Sequence, residues 1–147
     1  MESLYFEDYE VGMGLETSGR TVTEADIVNF AGLTGDWNPL HTDEEFAKKS
    51  FFGKRIAHGT LIFSITIGLL TRLGFIEESI LAFYGIDKLR FTNPVFIGDT
   101  IKAVAKVVEA RDKGNYGVIT LEAKTVNQRG DVVLTCQLKV AVKKRET

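Results

Sequence analysis

Cysteine is nearly absent from this sequence, and the one residue present, Cys136, closes no internal disulfide and supplies no thiolate cluster for zinc. It alternates with apolar neighbours and reads as core, which suits a reducing, cytoplasmic setting. Charge of one sign is also missing: 18 basic residues against 20 acidic ones give a formal net charge of −2. That balance lacks the basic excess of a nucleic-acid or anionic-membrane surface, so neither partner is expected. No apolar run is long enough for a bilayer, which takes about 20 residues. Gly59 to Thr71 carries no charge, but Ser64 and Thr66 interrupt it and Arg72 closes it. The start, Met1-Glu2-Ser3-Leu4, has neither a cationic stretch nor an apolar one, so no secretory signal is expected. There is no internal repeat or low-complexity segment, and the length predicts one domain over 1–147.

What is there divides into a helical first half and a strand-rich second half. Gly14 to Val22 is strand-like, and Thr23 is a good cap for a helix over Glu24 to Leu33 with Ile27, Phe30 and Ala31 on one face. Thr42 with Glu45 three residues on has capping-box spacing for a short helix ending near Lys49. The next helix, Gly59 to Leu73, is apolar all round and must be wrapped. Four strand-like runs follow: Ile80 to Phe91, Thr100 to Ala110, Tyr116 to Asn127 and Asp131 to Lys143, separated by turns at Gly98-Asp99, Lys113-Gly114-Asn115 and Arg129-Gly130. Beyond Lys143 the charged tail is expected to fray. An antiparallel sheet with one dry face, arriving after one apolar helix, is satisfied by curling round that helix. The fold class is therefore α+β, an antiparallel sheet wrapped around one long buried helix.

The chemistry concentrates at Gly35-Asp36-Trp37-Asn38-Pro39-Leu40-His41. Asn38-Pro39 disfavours a helix through this stretch and predicts a loop. Taken singly, Asp36 reads as a turn residue and His41 as a loop histidine. Together across a proline turn, a carboxylate and an imidazole can hold one water between them, the minimum for adding water to an activated double bond. Asn38 reads as support for that turn through backbone hydrogen bonds, with Pro39 stiffening it. His58-Gly59 opens the apolar helix, where unpaired amide hydrogens and the positive end of the dipole point outward. His58 itself reads as a histidine hydrogen-bonded near the helix start. Lys48, Lys49, Lys54 and Arg55 form a dense basic patch between this stretch and the apolar helix. Asp36, His41, Asp43 and His58 lack paired metal-ligand spacing, so no metal is expected. Gly12-x-Gly14 is too short for a phosphate loop.

This stretch, with Ala47 further on, resembles the signature of the MaoC-like (R)-specific enoyl-CoA hydratases, which have the hot-dog fold. The resemblance extends through the helix after His58-Gly59 to Pro94-Val95-Phe96-Ile97-Gly98-Asp99. It implies that Asp36 and His41 are the catalytic pair and that the Gly59 amide donates to the thioester oxygen. Some members carry a pocket serine in this helix, for which Ser64 is the candidate. The implied activity is reversible, (R)-specific hydration of trans-2-enoyl-CoA in fatty-acid metabolism, with coenzyme A as part of the substrate and no separate cofactor. The basic patch would meet the phosphates of coenzyme A or an acidic carrier protein. A dehydratase of acyl-carrier-protein thioesters is the near alternative; a thioesterase ranks lower, and a non-catalytic subunit of an active homologue is the alternative outside enzymes. A homodimer is expected, because too few strands are present to close the sheet. Pocket depth is expected to depend on Trp37, Phe63 and Phe83.

Overall fold

The computed structural model describes residues 1–146. A 3₁₀ turn at Phe6–Asp8 leads into β1 (Gly14–Glu16) and β2 (Arg20–Thr21), then helices α1 (Glu24–Thr34), α2 (Pro39–Thr42), α3 (Glu44–Lys48) and α4 (Gly59–Thr71). Four long strands complete the chain: β3 (Ile80–Phe91), β4 (Thr100–Asp112), β5 (Tyr116–Val126) and β6 (Val132–Lys143). All pairings are antiparallel; the order is β1-β4-β5-β6-β3, with β2 beside β4.

The sheet curls around α4 because its inner face is apolar at period two. Ile101, Ala103, Ala105 and Val107 of β4, Ile119, Leu121 and Ala123 of β5, and Leu134, Cys136 and Leu138 of β6 share one core with Leu61, Ile62 and Leu70 of α4. Each large aliphatic side chain buried this way contributes roughly 1.5–3 kcal/mol. Thr66, fully buried in α4, donates to the Ile62 carbonyl and shares a 2.7 Å hydrogen bond with Thr125 of β5, which satisfies both hydroxyls and fixes the helix on the sheet. Burial pushes the Cys136 thiol up to about 11, so it is an inert core residue. This is the hot-dog arrangement.

Several expectations are corrected. The strand over Gly14 to Val22 is two short ones: the Thr17 hydroxyl accepts from the Ala103 amide and donates to the Ser18 carbonyl, so a side chain takes a place in the ladder and the strand breaks. α4 is not dry all round, since Thr60, Ser64 and Thr71 are exposed along one edge. The residues after Lys143 do not all fray: Lys144 pairs with Asp112 at 2.7 Å and Arg145 with Asp8 at 2.6 Å, while Thr147 lies outside the described residues. β3 is an edge strand that pairs with β6 alone among the described residues. It leaves Leu81, Phe83, Tyr84 and Ile86 exposed, where a sheet with one dry face is expected. No helix among the described residues is long and apolar enough to cross a membrane.

Candidate active site

The signature is built by two helix starts and one stop. Thr23 and Asp26 form a reciprocal capping box that opens α1, and Gly35 closes it in the left-handed region at φ 81°, its amide bonded to the Ala31 carbonyl. Only glycine takes that conformation without strain, so the chain turns at Gly35 and delivers Asp36 just beyond the helix. Asn38 then caps α2: its Oδ1 accepts from the Leu40 amide at 2.9 Å, and Pro39 occupies the first helical turn, where no amide hydrogen is required. His41 therefore stands on a one-turn helix and not on the expected loop, because proline disfavours helix before itself but suits its first position. Thr42 does not cap α3, since its hydroxyl donates to the carbonyls of Trp37 and Asn38; Asp43 caps it instead, accepting from the Phe46 amide.

Asp36, His41 and Gly59 line one cavity of about 440 Å³. Its remaining wall comes from Phe52, Ile56, Ala57 and His58 before α4, Thr60 and Ile62 within it, the segment Phe91–Val95, and Val133. Two contacts hold the halves together: the Ala57 amide donates to the Val95 carbonyl at 2.8 Å, and Ile56 bridges Phe96. One polar atom from each of Asp36, His41 and His58 lies within 4.8 Å of the others. A single water making two hydrogen bonds of about 2.8 Å spans such a gap.

Hydrogen bonding fixes the His41 tautomer. Its Nδ1 sits 2.7 Å from the Ile56 carbonyl, which only accepts, so Nδ1 carries the hydrogen and Nε2 keeps a lone pair. Burial pulls the His41 pKa below the usual histidine range. The Ile56 carbonyl opposes that shift, the His58 ring adds to it, and the Asp36 carboxylate opposes it. The imidazole is thus held as a neutral acceptor near neutral pH. Gly59 is the first residue of α4, with the dipole's positive end behind its amide. Phe91 lies across it: a Cβ added to Gly59 would come within 2.9 Å of the Phe91 ring, so this position admits no side chain without moving the ring.

The other named residues fall differently. Ser64 lies outside the cavity; its hydroxyl donates to the Thr60 carbonyl on the exposed edge of α4. Arg55 is not a free cation, being 13% exposed and clamped by Glu24 at 2.6 Å and Glu44 at 2.9 Å. Lys48 pairs with Glu45 at the surface, and Lys54 stands over the Phe96 ring at 4.4 Å. Trp37 and Phe83 are exposed and Phe63 half-buried; none of the three lines the cavity. Asp43 is absorbed by its cap, and the two imidazoles stack at 3.9 Å with planes 28° apart. His58 is central to the site, and sequence reasoning gave it only a hydrogen bond near the helix start. Its partner is the Asp36 carbonyl, twenty-two positions away.

The MaoC like domain model matches residues 8–128. The chain is 38% identical to 3-hydroxybutyryl-CoA dehydratase of Methylorubrum extorquens, over 97% of this chain and 87% of that one. It is 46% identical to protein MaoC of Klebsiella aerogenes over 67% of its length, but that match spans only 29% of the Klebsiella protein. Among solved structures, a monoamine oxidase regulatory protein from Archaeoglobus is 46% identical with a TM-score of 0.94, covering 99% of this chain and 98% of that one. The (R)-hydratase of A. caviae involved in PHA biosynthesis is 32% identical with a TM-score of 0.77, covering 95% and 99%. With its signature intact and its fold shared, the chain belongs to the MaoC-like domain family of hydratases and dehydratases.

Proposed function

We propose that the protein is an (R)-specific enoyl-CoA hydratase, adding water reversibly to trans-2-enoyl thioesters in cytoplasmic fatty-acid metabolism. The observation that carries this reading is the convergence of Asp36, His41 and the Gly59 amide on one cavity. Asp36 and His41 hold one water; the His41 Nε2 lone pair takes a proton as the water oxygen bonds to carbon 3. The electrons of the double bond move onto the thioester oxygen, where the Gly59 amide meets the charge, a contact worth about 10²- to 10³-fold in rate. A proton returns to carbon 2 from the same pair, so both atoms add on one face. The reading calls for no metal or redox group, and coenzyme A enters only as part of the substrate. Lys54, with Lys48 and Lys49 on the same surface, is the cation set offered to its phosphates; Arg55 is left out.

A second copy belongs to this reading. β3 exposes Leu81, Phe83, Tyr84 and Ile86 on an open edge, and joining two such edges in a homodimer covers both. The test is hydration of crotonyl-CoA by the purified chain, followed by loss of enoyl-thioester absorbance and chiral chromatography of the product. An (R)-3-hydroxy product is expected. Asp36→Asn and His41→Ala should each lose at least about 10²-fold while staying folded, and the double variant little more, because groups sharing one water act as a unit. An (S) product, or near-normal turnover in either variant, refutes the assignment. Faster turnover of the matching acyl-carrier-protein thioester would move the substrate to the carrier-bound class, and release of free thiol would make the protein a thioesterase.

A further inference from the structure

We infer that His58 is a positioning residue of the hydration site, binding the Asp36 peptide and the His41 ring to the start of the helix that presents Gly59. This rests on the reading above. His58 is 2% exposed. Its Nε2 lies 2.9 Å from the Asp36 carbonyl oxygen, so Nε2 carries the hydrogen and donates. Its Nδ1 is buried with no partner among the described residues. A second proton there would be a buried donor without an acceptor, so the Nε2–H tautomer is the one these surroundings accommodate. One face of the ring stacks on His41, and Phe30 of α1 meets the ring at 4.9 Å with planes 60° apart.

These contacts solve an assembly problem. Asp36 follows α1, His41 stands on the single turn of α2, and Gly59 opens α4; no backbone ladder joins Asp36 to Gly59. A one-turn helix has little stability of its own. His58 is covalently next to Gly59, hydrogen-bonded to the Asp36 peptide and packed on the His41 ring, so one buried side chain ties together all three groups. It also helps keep water from His41, and so sustains the burial that keeps that imidazole neutral. The two functions separate by substitution: glutamine retains an N–H donor, phenylalanine retains the flat ring without the donor, and alanine removes both.

The expected result is that His58→Ala loses at least about tenfold in kcat with KM changed by less than about threefold, as misplacement of reacting groups costs rate more than binding. His58→Gln should recover most of the loss, His58→Phe much less. The acidic limb of the kcat/KM profile should move to higher pH in His58→Ala, because His41 becomes better hydrated. Only two histidines are present, so imidazole ¹⁵N spectra of the full chain read the same facts without turnover. His58 should show Nε2–H, His41 should show Nδ1–H, and the His41 titration should rise in His58→Ala. Unchanged kcat and unchanged His41 titration, an Nδ1–H tautomer at His58, or a glutamine variant no better than phenylalanine would each overturn the inference. If the wild-type chain hydrates no enoyl thioester, the functional reading fails, and the ¹⁵N measurements still decide the positioning.

Discussion

Gly59→Ala separates catalysis from folding more sharply than any other single change. The new methyl would sit 2.9 Å from Cδ1 and Cε1 of Phe91 and 3.1 Å from its Cγ, so the ring has to move. It can, because Phe91 is 51% exposed and ends an edge strand. Displacing it off its rotamer costs about 0.5–1.5 kcal/mol, and alanine in place of glycine in a helix returns up to about 1 kcal/mol. The two oppose each other, so stability should move by no more than about 0.5 kcal/mol upward or about 1.5 kcal/mol downward. The amide is another matter. On the proposed mechanism a methyl and a displaced ring would stand where the thioester oxygen approaches, and losing one such donor removes about 2.7–4 kcal/mol of transition-state stabilisation. The variant should therefore keep its melting temperature to within about 5 °C and lose about 10²- to 10³-fold in kcat/KM for crotonyl-CoA. Gly68→Ala, in the same helix with nothing within 4 Å of the added methyl, is the control and should leave kinetics unchanged. Wild-type kcat/KM in a folded Gly59→Ala protein would remove the amide from the mechanism, and equal kinetic losses in both variants would place the effect in the helix as a whole.

Burial lowers the pKa of His41, and hydration needs the neutral ring, so kcat/KM should rise with pH through a midpoint below the ordinary histidine value of about 6.5. A midpoint above it would contradict the burial of that ring. Light scattering should report twice the 16.3 kDa chain mass or a multiple of it, and Phe83→Lys combined with Ile86→Lys should reduce it toward one chain by charging the β3 edge; an active wild-type monomer refutes the edge pairing. Arg55→Ala should destabilise by about 1 kcal/mol, less at high salt, because both partner carboxylates are half-exposed and screened; chemical denaturation at two ionic strengths measures it.

Long-period features of this fold were legible because one physical signal dominates each of them. Alternation names the core face of β4 at Ile101, Ala103, Ala105 and Val107 and of β6 from Leu134 to Val142, and Gly98, Gly114 and Gly130 mark the turns. Where two signals compete, the outcome is set by atoms that sequence does not rank. Thr17 replaces a backbone ladder partner with its hydroxyl and splits a strand. Thr42 and Asp43 are both good caps, and Asp43 takes α3 because the Thr42 hydroxyl is engaged by the turn before it. In β3 a run of strand-forming residues locates the strand but says nothing of coverage, which depends on where the strand falls in the sheet, here at an edge.

The site divides along the same line. Gly35, Asp36, Asn38, Pro39 and His41 are local: a left-handed stop, a carboxylate, a cap, a first-turn proline and an imidazole, each placed by its immediate neighbours. A local pattern is readable for that reason. The contacts that orient the pair are not local, since the carbonyl that fixes the His41 tautomer comes from Ile56 and the ring beneath it from His58. A carbonyl has no sequence signature, because every residue carries one. The choice among the cations shows the same limit: Lys48, Lys49, Lys54 and Arg55 are equivalent as a run of charge, yet only the fold brings Glu24 and Glu44 onto Arg55 and takes it out of the set. Sequence places the carboxylate and the imidazole here, and tertiary contact decides their hydrogen bonding and aim.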